Sequence, residues 1–303
     1  MIDLHLHSRF SDGTLTPTEL VERAVQKDVT AISLTDHDTM AGNEEAVRAG
    51  LAHGIKVLPG VEFSVLMGEN TVHLLGYGVE PDEDANGEVL QRLKKGREER
   101  LGVMVAKLND LGINIGSADV RREAGGEIIG RLHIARVLAR KRFVGSVKEA
   151  FTRYLGRGAA AYAERPKLTP EEAVRLVHSM GGVAVLAHPG TMERESPELL
   201  NKALDILAPL GLDGLECHYT SHTAEQTARY AGLARGMDLL VTGGSDFHGS
   251  NKPEVELGVV PVVGRLAYGI LRDLKAAQEN RAPAVNPERP TTSCPRMVPS
   301  CRE

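Results

Sequence analysis

The chain has 303 residues, 42% of them apolar and 4% aromatic, with no tryptophan and a formal charge of −5. That length suits one α/β barrel with an inserted or appended subdomain, and the net acidity argues against a protein that holds long nucleic acid by bulk electrostatics. Cys217, Cys294 and Cys301 form no CxxC pair, so a disulfide framework and a thiolate zinc site are not indicated and a reducing cytoplasm fits; the absence of a basic-then-apolar leader and of any run near the ~20 apolar residues of a membrane span argues against secretion and insertion.

The opening alternates Ile2, Leu4 and Leu6 with Asp3, His5 and His7, the period of a strand, so His5 and His7 share one face. After the turn Ser11-Asp12-Gly13, Thr16-Pro17-Thr18-Glu19 supplies an N-cap, a proline at the first helical position and a capping-box glutamate, which predicts a helix to about Lys27. A second strand is expected from Thr30 to Leu34, ahead of Thr35-Asp36-His37-Asp38, then a helix from about Met40 to Gly54. A third strand, Ile55 to Leu58, leads to Glu62, and a fourth, Val72 to Tyr77, carries His73. From about Glu80 to Arg165, opening on Pro81-Asp82-Glu83-Asp84, the rhythm gives way to a charged, largely helical stretch. It resumes with the capped start Thr169-Pro170-Glu171-Glu172, the strand Val183 to Ala187 and His188-Pro189. Leu212 to Glu216 leads into Cys217-His218, and Leu239 to Thr242 into Gly243-Gly244-Ser245-Asp246-Phe247-His248. Beyond about Gly264 come a short helix and a tail from Ala282, poor in core residues and expected to be loosely held.

Seven strands alternating with helices imply a parallel sheet closed, or nearly closed, into an α/β barrel. The expected division is a discontinuous barrel core at 1–79 and 166–263, an inserted helical cap subdomain at 80–165, and a C-terminal helix and tail at 264–303. His5, His7, Asp12, His37, Glu62, His73, His188, Asp246 and His248 mostly fall at or just past strand ends, where parallel α/β folds assemble active sites. His-x-His alone is a weak motif. Nine titratable groups at one locus without mutual compensation would be costly, and that favours a metal centre. Imidazole and carboxylate suit Mn, Fe or Zn, and the lack of cysteine favours catalysis over a closed structural zinc. His53 and His178, in predicted helices away from the strand ends, read as ordinary structural histidines.

His5-Leu6-His7-Ser8, Ser11-Asp12-Gly13, Leu34-Thr35-Asp36-His37-Asp38, Gly60-Val61-Glu62, His73, Ala187-His188-Pro189 and Gly244-Ser245-Asp246-Phe247-His248 together resemble the PHP (polymerase and histidinol phosphatase) superfamily over about residues 1 to 260. Within it the chain looks most like the stand-alone phosphoesterases that remove phosphate from nucleoside 3′,5′-bisphosphates, some of which also trim RNA from the 5′ end. The inserted segment, with Gly130-Arg131-Leu132-His133-Ile134-Ala135-Arg136, supports that branch. The resemblance implies a distorted seven-stranded TIM-like barrel holding two or three divalent metal ions: His5, His7, Glu62 and Asp246 on one, Asp12, His37 and His248 on a second, Glu62, His73 and His188 on a third. Asp12, His37, Glu62, Asp246 and His248 are the ligands expected to act most directly in catalysis. One departure is Asp28, where similar sequences often have glycine before the second strand.

Phosphoester hydrolysis needs a nucleophile at neutral pH, charge stabilisation on the phosphoryl group and help for the leaving oxygen; a clustered metal site supplies all three, with a metal-bridging hydroxide as the expected attacker. Arg131, His133 and Arg136 read either as a clamp for a second phosphate, which the resemblance favours by placing them over the barrel mouth, or as a solvated helix face. Arg9 is either a phosphate contact or a plain loop arginine. His218 and His222 either meet the substrate, one of them protonating a leaving group, or only line the rim. The expected substrate is a small nucleotide such as adenosine 3′,5′-bisphosphate. Alternatives are a 5′ to 3′ exoribonuclease acting on RNA 5′ ends, a histidinol-phosphate phosphatase, which would leave the Arg131 segment without a second phosphate to read, and a non-catalytic metal-binding regulatory module, against which the complete ligand set speaks.

Overall fold

The computed structural model describes residues 1–80, 83–126, 128–260, 262 and 264–281. The chain runs β1 (Ile2–Leu6), α1 (Pro17–Gln26), β2 (Ala31–Leu34), α2 (Asn43–His53), β3 (Lys56–Met67), β4 (Asn70–Tyr77) and then the helices α3 (Glu83–Asp110), α4 (Ser117–Ala124), α5 (Arg131–Arg140) and α6 (Val147–Ala150). A π-helical turn, Phe151–Leu155, precedes α7 (Pro170–Ser179), β5 (Val183–Leu186), α8 (Pro189–Glu195), α9 (Leu199–Leu207), β6 (Gly214–Tyr219), α10 (Ala224–Gly236), β7 (Leu240–Gly244), a 3₁₀ turn (Gly249–Asn251) and α11 (Gly264–Arg281). The tail expected from Ala282, with Cys294 and Cys301, lies outside the described residues, as do Pro81 and Asp82. Among the described residues no helix is long and apolar enough to cross a membrane.

Local chemistry sets the element boundaries. Thr16 Oγ1 accepts from Glu19 N at 3.1 Å while the Glu19 carboxylate takes the Thr16 N–H at 2.7 Å, and Thr169 and Glu172 repeat the exchange at α7. Asp28 has a φ of 55°, a left-handed conformation that glycine adopts without steric cost, so the position suits the glycine this chain lacks.

The seven strands form one sheet in the order β1 to β7, bent into a nearly closed barrel. It is not parallel throughout. β1, β2 and β3 pair in parallel, as do β5, β6 and β7, but β4 is antiparallel to both β3 and β5. The reason is the connection: only Gly68 and Glu69 separate Met67 from Asn70, and two residues can close a hairpin but never a crossover. Gly68, at φ 60°, supplies the left-handed step of that turn. β3 also runs well past the expected Leu58, so Glu62 lies within the strand rather than beyond it. Irregular contacts bring β1 to β7: Asp246 N donates to His5 O at 2.8 Å and His7 N to Phe247 O at 3.0 Å. A Cβ at Gly244 would lie 2.4 Å from the His5 backbone nitrogen, so glycine is what lets the two strands close.

Helices pack around the barrel through apolar faces: Leu20, Val21 and Ala24 of α1 against Leu6, Ile32 and Leu34, and Ile270 and Leu274 of α11 against the strand starts near Ile2 and the end of β4 at Tyr77. Each such fully buried aliphatic side chain contributes about 1.5–3 kcal/mol before the entropic cost of ordering it. A separate apolar cluster, Leu101 to Ala161, is drawn wholly from the segment between β4 and α7. Because β4 runs backwards, that segment leaves from the strand-start end of the barrel. α3, with 28 residues and so about 42 Å long, carries the chain up to the mouth.

Candidate metal centre and its cavity

The centre is built on Glu62, a carboxylate that is 1% exposed. Its Oε2 lies 3.2 Å from His5 Nε2, 3.1 Å from His7 Nε2 and 3.1 Å from His37 Nδ1. Its Oε1 lies 2.7 Å from His73 Nδ1 and 3.0 Å from His188 Nε2. The pleat explains the pairing of His5 with His7, since residues two apart on a strand share a face. The hairpin explains His73, which pairs in register with Ser64 beside Glu62. Asp246 Oδ1 stands 3.2 Å from His7 Nε2, and Asp12 Oδ1 stands 3.2 Å from His248 Nε2. All nine expected ligands are thus brought together.

Three groups of donors converge closely enough to hold a cation: His5, His7, Glu62 and Asp246; His7, Asp12, His37 and His248; and His37, Glu62 and His73. His188 converges with the third group as well: its Nε2 lies 3.0 Å from the same Glu62 oxygen that His73 meets and 3.3 Å from His73 Nδ1, while its Nδ1 lies 2.8 Å from Thr191 Oγ1. The donors fit divalent metal on one observation above all. His5 Nε2, His7 Nε2, His37 Nδ1 and Glu62 Oε2 are buried and make no hydrogen bond of acceptable geometry, although they lie within reach of one another. Lone pairs aimed at a common point serve a cation rather than each other.

Electrostatics say the same. Burial would neutralise His5, but the charges of Glu216, Glu62 and Asp246 outweigh it and hold the imidazole well above its ordinary pKa. Burial also opposes charge on His7, which Asp246 and Glu62 nonetheless raise to about 9. Burial keeps His37 neutral, lowering it to about 3. Burial disfavours the anions of Asp12, Glu62 and Asp246, yet the surrounding imidazoles, and for Asp246 the Lys252 ammonium, hold all three well below the usual carboxylate range. Positive charge is what this cluster demands.

Several residues that sequence reasoning missed keep the ligands in place. Glu216, fully buried, meets His5 Nδ1 through Oε1 at 2.9 Å and takes the His188 backbone N–H on Oε2 at 2.7 Å. His188 has a φ of 29° and Asp246 one of 59°, strained conformations held by such contacts. Tyr219 Oη donates to Asp246 Oδ2 at 2.8 Å, and Lys252 Nζ lies 2.6 Å from the same oxygen. Asp36 accepts from Ser8 N, Ser8 Oγ and Ser11 Oγ, fixing the loop that carries Asp12. A buried-face acid on β6 was the one available signal for Glu216; nothing in the local sequence marks Lys252.

Asp12, His37 and His73 open into a cavity of about 350 Å³ whose walls include Arg97, Arg100, Arg131, Arg157, Arg165 and Lys167. Arg131 is half-buried there, its guanidinium 5.6 Å from the ring centres of both Phe151 and Tyr162 and donating to Leu155 O at 3.2 Å. The other expected substrate contacts lie elsewhere. Arg136 is outside the lining of this cavity, with Nε 2.9 Å from Glu123 and a hydrogen bond to Asn251. His133 is buried and its Nδ1 accepts the Gly130 N–H at 3.1 Å, serving as a helix cap. Arg9 is exposed. His218 and His222 line a second cavity, of about 680 Å³, beside α10. Both nitrogens of His222 are engaged, Nδ1 with Cys217 O at 2.9 Å and Nε2 with the Gly190 N–H at 3.1 Å, so it has no proton to give. His53 is exposed on α2, and His178 pairs with Asp213 at 2.9 Å, as suits structural histidines.

A sequence model described as the PHP domain matches residues 3–175. The chain is 36% identical to a 3′,5′-nucleoside bisphosphate phosphatase of Chromobacterium violaceum, across 91% of this chain and 96% of that protein. It is 35% identical to a 5′-3′ exoribonuclease of Haemophilus influenzae, across 81% of this chain and 89% of that one. A crystal structure described as that of a metal-dependent phosphoesterase from Bifidobacterium adolescentis aligns with a TM-score of 0.81 at 33% identity, covering 90% of this chain and 96% of the other.

Proposed function

The chain belongs to the PHP family of metal-dependent phosphoesterases, and from that premise we propose that it hydrolyses a phosphate monoester of a small nucleotide bearing a second phosphate, as in a nucleoside 3′,5′-bisphosphate. The observation that carries the reading is the cavity into which Asp12, His37 and His73 open from the cluster around Glu62 and whose walls carry guanidinium groups. Two or three divalent ions, Mn, Fe or Zn, would be held by His5, His7, Asp12, His37, Glu62, His73, His188, Asp246 and His248. Bound there, they supply Lewis acidity and lower the pKa of water. The chain does the rest. Neutral His37 keeps its lone pair available, Glu216 fixes His5, Tyr219 and Lys252 fix Asp246, and Arg131 offers a charge that cannot be titrated away to a phosphate lying beyond the scissile one. Residues 80–165 act as a cap that shapes the cavity, and the cysteine usage supports a cytoplasmic setting.

Adenosine 3′,5′-bisphosphate with Mn²⁺-reconstituted enzyme tests this directly. Phosphate release by the wild type, reduced by at least about 100-fold in Asp246→Ala, is expected for loss of a group at the centre of the charge stabilisation; no release on any nucleotide would overturn the reading. The similarity to the exoribonuclease supports a second substrate, an RNA 5′ end. Labelled oligoribonucleotides in the same assay separate the two.

A further inference from the structure

Asp38 is a buried carboxylate at a φ of 55°, and it carries two guanidinium groups at once. Arg97 Nε donates to its Oδ2 at 3.0 Å, and Arg165 Nη2 donates to the same oxygen at 2.9 Å and to Ser64 Oγ at 2.7 Å. One turn along α3 from Arg97 stands Arg100, only 9% exposed, in the wall of the cavity that reaches His37, His73 and Asp12. Among the described residues it makes no hydrogen bond and no ion pair of its own. With Arg131 in the same wall from α5, four guanidinium groups converge; Asp38 holds two of them, and Glu164, in the same lining, is bonded by Lys167 and Tyr162.

Such an arrangement is expensive unless something answers it. An unpaired buried charge costs several kcal/mol, and a guanidinium cannot escape by losing its proton as a lysine would. Burial, reinforced by the charges of Arg97, Arg165 and Arg131, works against the Arg100 cation, and Asp38 opposes them only in part. Planar guanidinium forks match phosphate oxygens bidentately, and a dianion would compensate the excess that Asp38 leaves.

We propose that Arg100, braced beside the Arg97–Asp38–Arg165–Ser64 network, forms a dianion pocket for the phosphate that is not cleaved, and that Arg100 sets the preference for bisphosphates over monophosphates. The proposal rests on the nucleotide phosphatase reading and assigns the second phosphate to Arg100 and Arg131, with Arg136 engaged instead by Glu123 and Asn251. Arg97 and Arg165 are positioning residues here, because their strongest bonds go to Asp38.

Two readouts test it on the full chain carrying Arg100→Met or Arg100→Lys. The first is the ratio of kcat/KM for adenosine 3′,5′-bisphosphate to that for adenosine 5′- and 3′-monophosphates. The second is the melting temperature with and without inorganic sulfate, which requires no turnover. We expect Arg100→Met to lower the ratio at least tenfold, mainly through KM for the bisphosphate, with Arg100→Lys recovering part of it. In sulfate-free buffer Arg100→Met should melt at or above the wild-type temperature, since it removes an unanswered charge, and its sulfate-induced rise should shrink. A ratio and a sulfate response that stay at wild-type values in both variants would overturn the proposal, as would a lower melting temperature with an unchanged ratio. If wild type cleaves none of the nucleotides, the phosphatase reading fails, and the sulfate response alone still decides the pocket.

Discussion

Glu216 serves two histidines by different means, a ring nitrogen on β1 and a backbone amide after β5. Glu216→Gln preserves size but removes the charge that orients His5 Nδ1–H, and losses of this kind typically cost 10- to 100-fold in metal affinity or activity. Metal content after dialysis, read beside kcat, checks it; a full metal complement with unchanged kcat would show that packing alone positions His5. The contrast with Arg100 explains what could be read in advance. His5 and His7 announce themselves because a strand's period of two leaves their shared face unmistakable. Arg97 and Arg100 sit in a stretch so rich in charge that either looks like a solvated helix face, and only the packing of α3 over the barrel buries them.

Between elements, the seam of the β4–α7 segment with the barrel depends on close backbone approach. Ile128 N donates to Phe10 O at 3.3 Å, and a Cβ on Gly126 would come 1.9 Å from Arg9 O. Gly126→Ala must therefore push the α4–α5 connection off the β1 loop, at a cost of about 1–3 kcal/mol and with a raised KM. Urea unfolding and steady-state kinetics on the variant measure both; an unchanged KM would mean that the seam does not shape the cavity. Strand number, helix starts and the interrupted rhythm were legible because capping boxes and apolar alternation are local. The direction of β4 was read wrongly as parallel, although Gly68-Glu69 between two apolar runs is itself a hairpin signal; the βα rhythm on either side of it overrode the local turn chemistry.

For the molecule as a whole, the buried carboxylates predict an acid limit. Asp12, Glu62 and Asp246 are held well below the usual range against the cost of burial, and Asp38 is held down by Arg97 and Arg165. A lowered folded pKa contributes stability that is complete above the unfolded value near 4 and is lost as the pH falls towards the folded one. Asp36, raised by burial to about 6, and Asp3, also raised by burial, act in the opposite sense, because the folded state takes up their protons first. Their gain offsets the stability lost as His37, lowered to about 3, resists protonation, so the melting temperature should change little from pH 6 to about 4 and then fall steeply; a steep loss already between pH 6 and 5 would mean that histidine protonation outweighs them.

β3 joins the two halves of the site. It carries Glu62 at the centre of the imidazole cluster and, two residues on, Ser64, which binds Arg165. Residues so spaced project from the same face about 7 Å apart, a distance written in bond lengths and pleat rather than in side-chain rotamers. The strand therefore fixes the spacing between the imidazole cluster and the network that Asp38, Ser64 and Arg165 form beside it. Movement of the loops around the mouth leaves that spacing as it is.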